Sequence, residues 1–312
     1  MDPLSDVLSL LKTRSYVSSG FSAGGAWSLH FAIHNDVIKC YAVEAGGCWL
    51  VVEGVAEPTK LEAGDCFVLP SGRPFRLTSD VTLASMDAKS AFPPASLGGT
   101  VTLNGGGDLL LVGSRFTVAG HHAGMLLKMM PAIVHIRKDA DQAALRWSVS
   151  RMREELRDGR PGGSLIAQQL AHMMLVQALR LHLAEGTHEM GWFAALADNR
   201  LSAALLAIHT DPARRWTLQE LATQAGMSRS VFAQRFREAT GETAMDYLTR
   251  WRMLLAGEQL EQSSRPLSMI APSLGYESES AFTNAFKRVM GCPPRDFLRT
   301  QRQSRLESRE IR

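Results

Sequence analysis

Three residues in the last third of the chain come back at one fixed interval. Phe232, Phe236 and Gly241 return as Phe282, Phe286 and Gly291, each 50 residues later. Leu221-Ala222 returns as Ile270-Ala271 at 49, so the second copy has one extra residue in its turn. Each copy, about 218–241 and 267–291, reads as helix, glycine turn, serine, helix: a helix-turn-helix. Glycine permits the sharp turn, and Ser228 or Ser278 can accept from the free amides that open the next helix. Two phenylalanines four apart give that helix an inward face.

The opposite stripe is Ser230, Ala233, Gln234 and Arg237 in the first copy, and Ser280, Thr283, Asn284 and Lys287 in the second. Both stripes are small or hydrogen-bonding and end in a cation. Such a face suits a DNA major groove, where hydroxyls and amides reach base edges and cations reach phosphate. The base-reading candidates are therefore Ser230, Ala233, Gln234, Ser280, Thr283 and Asn284. Arg229, Arg237 and Lys287 are the phosphate candidates. A helix from Thr243 to Gln262 joins the copies and spans about 30 Å at ~1.5 Å per residue. That is near the ~34 Å repeat of successive major-groove segments. A single copy would read more simply as a solvated face of a helical bundle, but two copies at fixed spacing favour the groove.

Charge agrees with this placement. The net charge is +3, yet residues 1–195 hold 17 Lys and Arg against 18 Asp and Glu, while residues 196–312 hold 17 against 13. The positive part is the part with the repeat, which points to a polyanionic partner. No apolar run approaches the ~18 residues of a membrane helix. The acidic N-terminus lacks the features of a secretory signal, and four cysteines are too few for a disulfide framework. A cytoplasmic protein with reduced thiols is expected.

Upstream of the repeat the pattern is short apolar runs broken by glycine and proline. Residues 38–43 and 48–53, with Glu44-Ala45-Gly46-Gly47 between them, read as a hairpin; 66–69 and 75–77 read as strands, and Asp108 to Val118 as another hairpin. These make a small β-barrel or sandwich over about 20–135. Leu145, Val149, Met152 and Leu156 then define a helix from about Asp139 to Arg157. A second, capped by Ser164 and running to about Ala184, is apolar on most of its circumference, so it packs inside the domain or against another subunit.

Residues 201–300 resemble the AraC-type DNA-binding domain in "GMSRSVFAQRFREATG", "YLTRWRM" and "LGYESESAFTNAFKRVMGCPPRDFLR". The N-terminal part resembles the cupin-type effector domain of one branch of that family in "IKCYAVEAGGCWLVVEG", "LEAGDCFVLPSGRPFRL" and "GWFAAL". The resemblance implies an α+β protein of two domains and a bacterial transcriptional regulator. Residues 1–185 would form a cupin-like effector and dimerisation domain, 186–198 a linker, and 199–312 an all-α tandem helix-turn-helix domain. Double-stranded promoter DNA is the implied partner, with a small-molecule effector, a second copy of the chain and, for an activator, RNA polymerase. Many family members carry Arg where this chain has Gln234 and Asn284. Pro272, inside the first helix of the second copy, removes one intrahelical bond and is expected to weaken or re-aim that reading head.

A catalytic cupin needs histidines and a carboxylate around a metal. Here Arg73, Pro74 and Phe75 follow the Pro70-Ser71-Gly72 turn, and His30, His34, His121 and His122 form no ligand set on the expected strands. No metal, cofactor or catalytic residue is expected; a metal-dependent cupin enzyme fused to a helical domain is the runner-up reading. The aromatic strand residues Tyr41, Trp49, Phe67 and Phe75 are the candidate effector pocket. Cys40, Cys48 and Cys66 also lie on strands, and a thiol-based redox-sensing regulator is the other alternative. The expected hairpin puts Cys40 and Cys48 on opposite faces of the sheet, where they cannot bond, and buried cysteine usually serves as a small core hydrophobe.

Overall fold

The structure, a computed structural model, describes residues 2–11, 13–33, 37–91, 100–118, 123–127, 129–137, 143–158, 160–185, 191–263 and 265–300. His34 and the His121-His122 pair lie outside them. Two compact units emerge. One holds Lys12–Ala119 and Leu127–Gly186; the other holds Met1–Leu11, Gly120–Leu126 and Thr187–Arg312.

The chain opens with helix α1 (Pro3–Leu10). Strands β1 (Thr13–Ala23), β2 (Ser28–Phe31), β3 (Val37–Val52), β4 (Thr59–Glu62) and β5 (Cys66–Leu69) follow. Then come β6 (Phe75–Thr78), β7 (Met86–Asp87), α2 (Ala88–Ala91), β8 (Thr100–Leu103) and β9 (Leu109–Val118). After α3 (Ala123–Leu127) and β10 (Val134–Ile136), the long helices α4 (Ala143–Asp158) and α5 (Gly163–Glu185) complete the sheet unit.

Both expected hairpins are in fact single strands. β3 runs unbroken through Glu44-Ala45-Gly46-Gly47, pairing with β5 and β9 along its first half and with β4 and β6 along its second. Asp108 to Val118 is likewise one strand, β9. The glycines of β3 make a bulge instead of a turn: its register against β9 shifts between Val43 and Ala45. Gly46 has φ 73°, and a Cβ there would fall 1.8 Å from the Asp108 carbonyl oxygen, so only glycine fits.

The bulge reverses the facing of β3. Before it, Val43 faces the core with Tyr41 packed against it; after it, Cys48, Leu50 and Val52 do. Phe21, Trp27, Phe67, Phe75 and Leu77 fill the same core. Cys40 therefore lies on the other face, with Cys66 one register step away, and it is separated from Cys48 by strand length as well as by facing. α5 packs on β1, β10, β5 and β3. Its buried stripe is Ala167, Leu170, Ala171, Met174, Leu175, Ala178 and Leu179, the 3-and-4 spacing of a single helical face. The expected wide apolar circumference is not wholly buried: Leu165 and Ile166 are exposed.

The second unit is helical: α6 (Trp192–Ala197), α7 (Asn199–Thr210), α8 (Leu218–Gln224), α9 (Arg229–Thr240), α10 (Ala244–Gln262), α11 (Leu267–Ser273) and α12 (Glu279–Met290). Part of the segment read as a linker is thus helix α6, with Trp192, Phe193 and Ala195 buried. α1 belongs to this unit and packs on α7, with Leu4, Val7, Leu8, Leu10 and Leu11 buried.

A directional hydrogen-bond chain ties these helices together. Trp192 Nε1 donates to the Tyr247 hydroxyl at 2.9 Å, Tyr247 lies 2.7 Å from His209 Nε2, and His209 Nδ1 lies 3.1 Å from Asp6 Oδ2. Every partner is satisfied when His209 is neutral, donating from Nδ1 and accepting at Nε2. Burial lowers the His209 pKa and outweighs the opposing pull of Asp6. The folded state then binds the imidazole proton less readily than the unfolded state does. Stability from this group is present above the unfolded histidine value near ~6.5 and is lost as pH falls towards the lower folded value. We expect the urea midpoint of the full chain to drop between pH 7.5 and 5.5, and to drop less in His209→Gln. An equal drop in both would assign the acid sensitivity elsewhere.

Candidate nucleic-acid interface

The two helix-turn-helix copies are built alike. α8 and α11 have seven residues each, and α9 and α12 have twelve. Ser228 caps α9 by accepting from Val231 N–H, and Ser278 caps α12 by accepting from Ala281 N–H. The Ser228 and Ser230 hydroxyls are 3.4 Å apart and those of Ser278 and Ser280 3.1 Å, a repeat at the level of side chains. Both reading helices end in a left-handed glycine, Gly241 or Gly291.

In the first turn Met227 N–H donates to the Ala222 carbonyl, and in the second Tyr276 N–H donates to Ala271. Gly275 carries φ 80°, and a Cβ on it would meet the Ala213 carbonyl oxygen at 2.2 Å. Pro272 takes the place that Thr223 holds in α8; it is exposed, and α11 keeps its full seven residues around it. The missing amide is therefore absorbed without shortening the helix.

Phe232, Phe236, Phe282 and Phe286 are fully buried, as the inward faces require. The second pair belongs to a core with Met253, Ala256, Leu260, Ile270, Leu274 and Phe297. Phe236 meets Tyr247 edge-on with centroids 5.8 Å apart. α10 is buried from Tyr247 and Trp251 through Met253 to Leu260, so one helix serves both cores. Arg252 adds a clasp from α10, donating to the carbonyls of Pro212 and Arg214.

Every outward stripe residue is accessible. Ser230, Gln234, Arg237, Ser280, Asn284 and Lys287 are exposed, while Ala233 and Thr283 are half-buried. Ala233, Gln234, Arg237 and Glu238 form one lip of an open groove of about 760 Å³, faced by Leu218, Thr243 and Met245. Gln234 is not idle in the free protein, since its Nε2 donates to Glu238 Oε1 at 2.9 Å.

Ion pairing sorts the arginines. Arg214, Arg215, Arg235 and Arg250 pair with Glu220, Glu277, Asp198 and Glu242. Among the described residues, Arg229, Arg237 and Lys287 are exposed cations outside any ion pair, as are Arg200, Arg265, Arg288 and Arg295, which the stripe pattern does not single out. Of these, Arg288 directly follows Lys287 on α12.

In the sheet unit the proposed aromatic set divides. Tyr41 stacks on Phe67 at 4.9 Å and meets Phe75 edge-on at 6.4 Å. Trp49 lies beyond the bulge, alternating with the core residues Cys48 and Leu50, and so faces away from the other three. Burial pushes the Cys48 thiol up to about 12 and the Cys40 thiol higher still. Such thiols hold almost no thiolate at neutral pH, the form that reacts with oxidants. Among the described residues, no group of three His, Cys, Asp or Glu side chains is arranged to hold a metal ion, and no helix is long and apolar enough to cross a membrane.

Comparison with known proteins agrees with the folds of the two units. A family model described as Cupin matches residues 2–184, and one described as Helix-turn-helix domain matches residues 221–300. An AraC-like transcription regulator of Streptomyces lividans is 43% identical over 299 residues, covering 95% of this chain and 98% of its own. The RCS-specific HTH-type transcriptional activator RclR of Escherichia coli K12 is 28% identical over 307 residues, covering 97% and 99%. Among solved structures, the DNA-binding domain of AdpA in complex with a target DNA is 29% identical, covering 35% of this chain and 96% of that one with a TM-score of 0.33. At 43% identity along nearly its whole length, the chain belongs to the AraC-like transcriptional regulators, DNA-binding proteins in which a helix-turn-helix half follows a cupin half.

Proposed function

We propose that the chain controls transcription by setting α9 and α12 into successive major-groove segments of a promoter. Ser230, Ala233, Gln234, Ser280, Thr283 and Asn284 meet base edges, and Arg229, Arg237 and Lys287 meet phosphates. The observation that carries this reading is the pair of matching exposed stripes on helices locked to one shared helix, α10. The cupin half, expected over residues 1–185 and built as Lys12–Ala119 with Leu127–Gly186, receives a small organic effector and performs no catalysis. Tyr41, Phe67 and Phe75 form the core of its pocket; Trp49 is dropped from it. The protein works in the cytoplasm, pairs with a second copy of itself, and contacts RNA polymerase where it activates.

Salt tests the interface. Each phosphate neutralised releases counterions, giving a slope of about −0.9 in log affinity against log salt. The full chain on a promoter fragment should therefore bind steeply salt-dependently. Replacing Arg229, Arg237 and Lys287 together by alanine should flatten the slope by roughly three contacts. Unchanged slope in that variant would move the phosphate contacts to other residues; salt-independent binding would remove the whole scheme.

A further inference from the structure

The core of the sheet unit contains a lysine. Lys39 sits on β3 between Leu69 of β5 and Arg115 of β9, on the strand face that also carries Tyr41. It is only 7% exposed. Its Nζ lies 4.6 Å from the Phe75 ring centroid and 4.9 Å from that of Phe31, two rings that stack on each other at 4.5 Å. Among the described residues no carboxylate pairs with this ammonium. Its cross-strand neighbour is a second cation, and burial together with Arg115 brings the Lys39 pKa down to about 8. Ring faces attract a cation, but less strongly than burial without a counter-charge penalises it. For packing alone, methionine or leucine would serve better at this position.

We propose that Lys39 is the counter-charge of a binding site inside the curled sheet for a small amphipathic anion, a monocarboxylate whose apolar body packs on Phe31, Tyr41, Phe67 and Phe75. The anion supplies the counter-charge that no described residue supplies to Lys39. The aromatic walls select an apolar body over a small hydrated ion. This inference rests on the reading of the cupin half as an effector domain and names the class of effector. The cost of the unpaired ammonium falls on the unliganded protein, so binding shifts the population towards whichever state holds the anion better.

The test uses the full chain and calorimetric titration with straight-chain and phenyl-substituted monocarboxylates of four to twelve carbons, each beside its neutral primary amide. At least one carboxylate should bind tenfold or more tightly than its amide. Lys39→Met should remove that preference, Lys39→Arg should keep it, and unliganded Lys39→Met should melt no lower than wild type because an unpaired charge has been removed. No binding by any carboxylate, equal binding of acid and amide, or a lowered melting temperature in unliganded Lys39→Met would each overturn the proposal. Promoter affinity measured with and without the bound carboxylate separates the two readings. Binding with no effect on DNA keeps the anion site and removes its role as effector.

Discussion

Phe286→Ala should cost about 3–5 kcal/mol and cripple DNA binding without touching the reading face. Phe286 is fully buried. Its ring meets Phe282 at 5.8 Å and Phe297 edge-on at 5.4 Å, and its core includes Met253 and Leu260 of the shared helix α10. Truncation removes those contacts and leaves a cavity that three separate elements would have to collapse to fill. A domain stable by only ~5–15 kcal/mol loses much of its margin this way. The control is Asn284→Ala, on the opposite face of the same helix, which should change stability by less than ~0.5 kcal/mol. Urea unfolding of the full chain gives both numbers. A cost below about 1 kcal/mol for Phe286→Ala would mean that α12 does not depend on this core.

The same contrast between faces makes the helical third legible in the sequence, because its signals are local. They are a 3-and-4 apolar spacing, a serine before each reading helix and a glycine after it. Helix α10, expected from Thr243 to Gln262, runs from Ala244 with Thr243 as its cap. The stripe residues follow from helix geometry once the phenylalanines are assigned inward.

The sheet is legible only as strand-forming sequence. A glycine pair between two apolar runs signals a turn and a bulge equally well, and what decides is the partner strand. Gly46 is held against Asp108, far along the chain, and no local pattern shows that. The bulge keeps Trp49 and Tyr41 on opposite faces, as a hairpin would also have done, so aromatic character alone groups them and strand facing separates them. Helix α1 escapes the pattern for a different reason. Asp2, Pro3 and the spacing of Leu4, Val7, Leu8 and Leu11 are an ordinary start signal and amphipathic stripe, but α1 packs on α7, Asn199–Thr210, far along the chain. The Asp6–His209 contact between the same two helices is equally non-local.

Gln234→Ala should cost about 1–3 kcal/mol on the preferred promoter sequence and relax the preference at one base position. A carboxamide donates and accepts at once, which matches the N6 and N7 edge of adenine as a bidentate pair. An arginine at this position would favour guanine instead, so the amide is expected to change which base is preferred. In the free protein Gln234 donates to Glu238, and releasing that exposed i,i+4 hydrogen bond costs only ~0.2–0.5 kcal/mol. A bidentate contact to adenine, worth about 1–3 kcal/mol, would outweigh it. Asn284 occupies the matching place on α12, and since Pro272 leaves α11 at full length, Asn284→Ala should lose a comparable amount at a second base position about one helical turn away. Arg237→Ala should instead weaken all sequences alike and lower the salt slope by about one, because phosphate carries no sequence information. Binding measured on single-base promoter variants at two salt concentrations separates these outcomes. A uniform loss across all variants for Gln234→Ala would make that residue a backbone contact, and the base readout would then have to pass to Ser230 and Ala233.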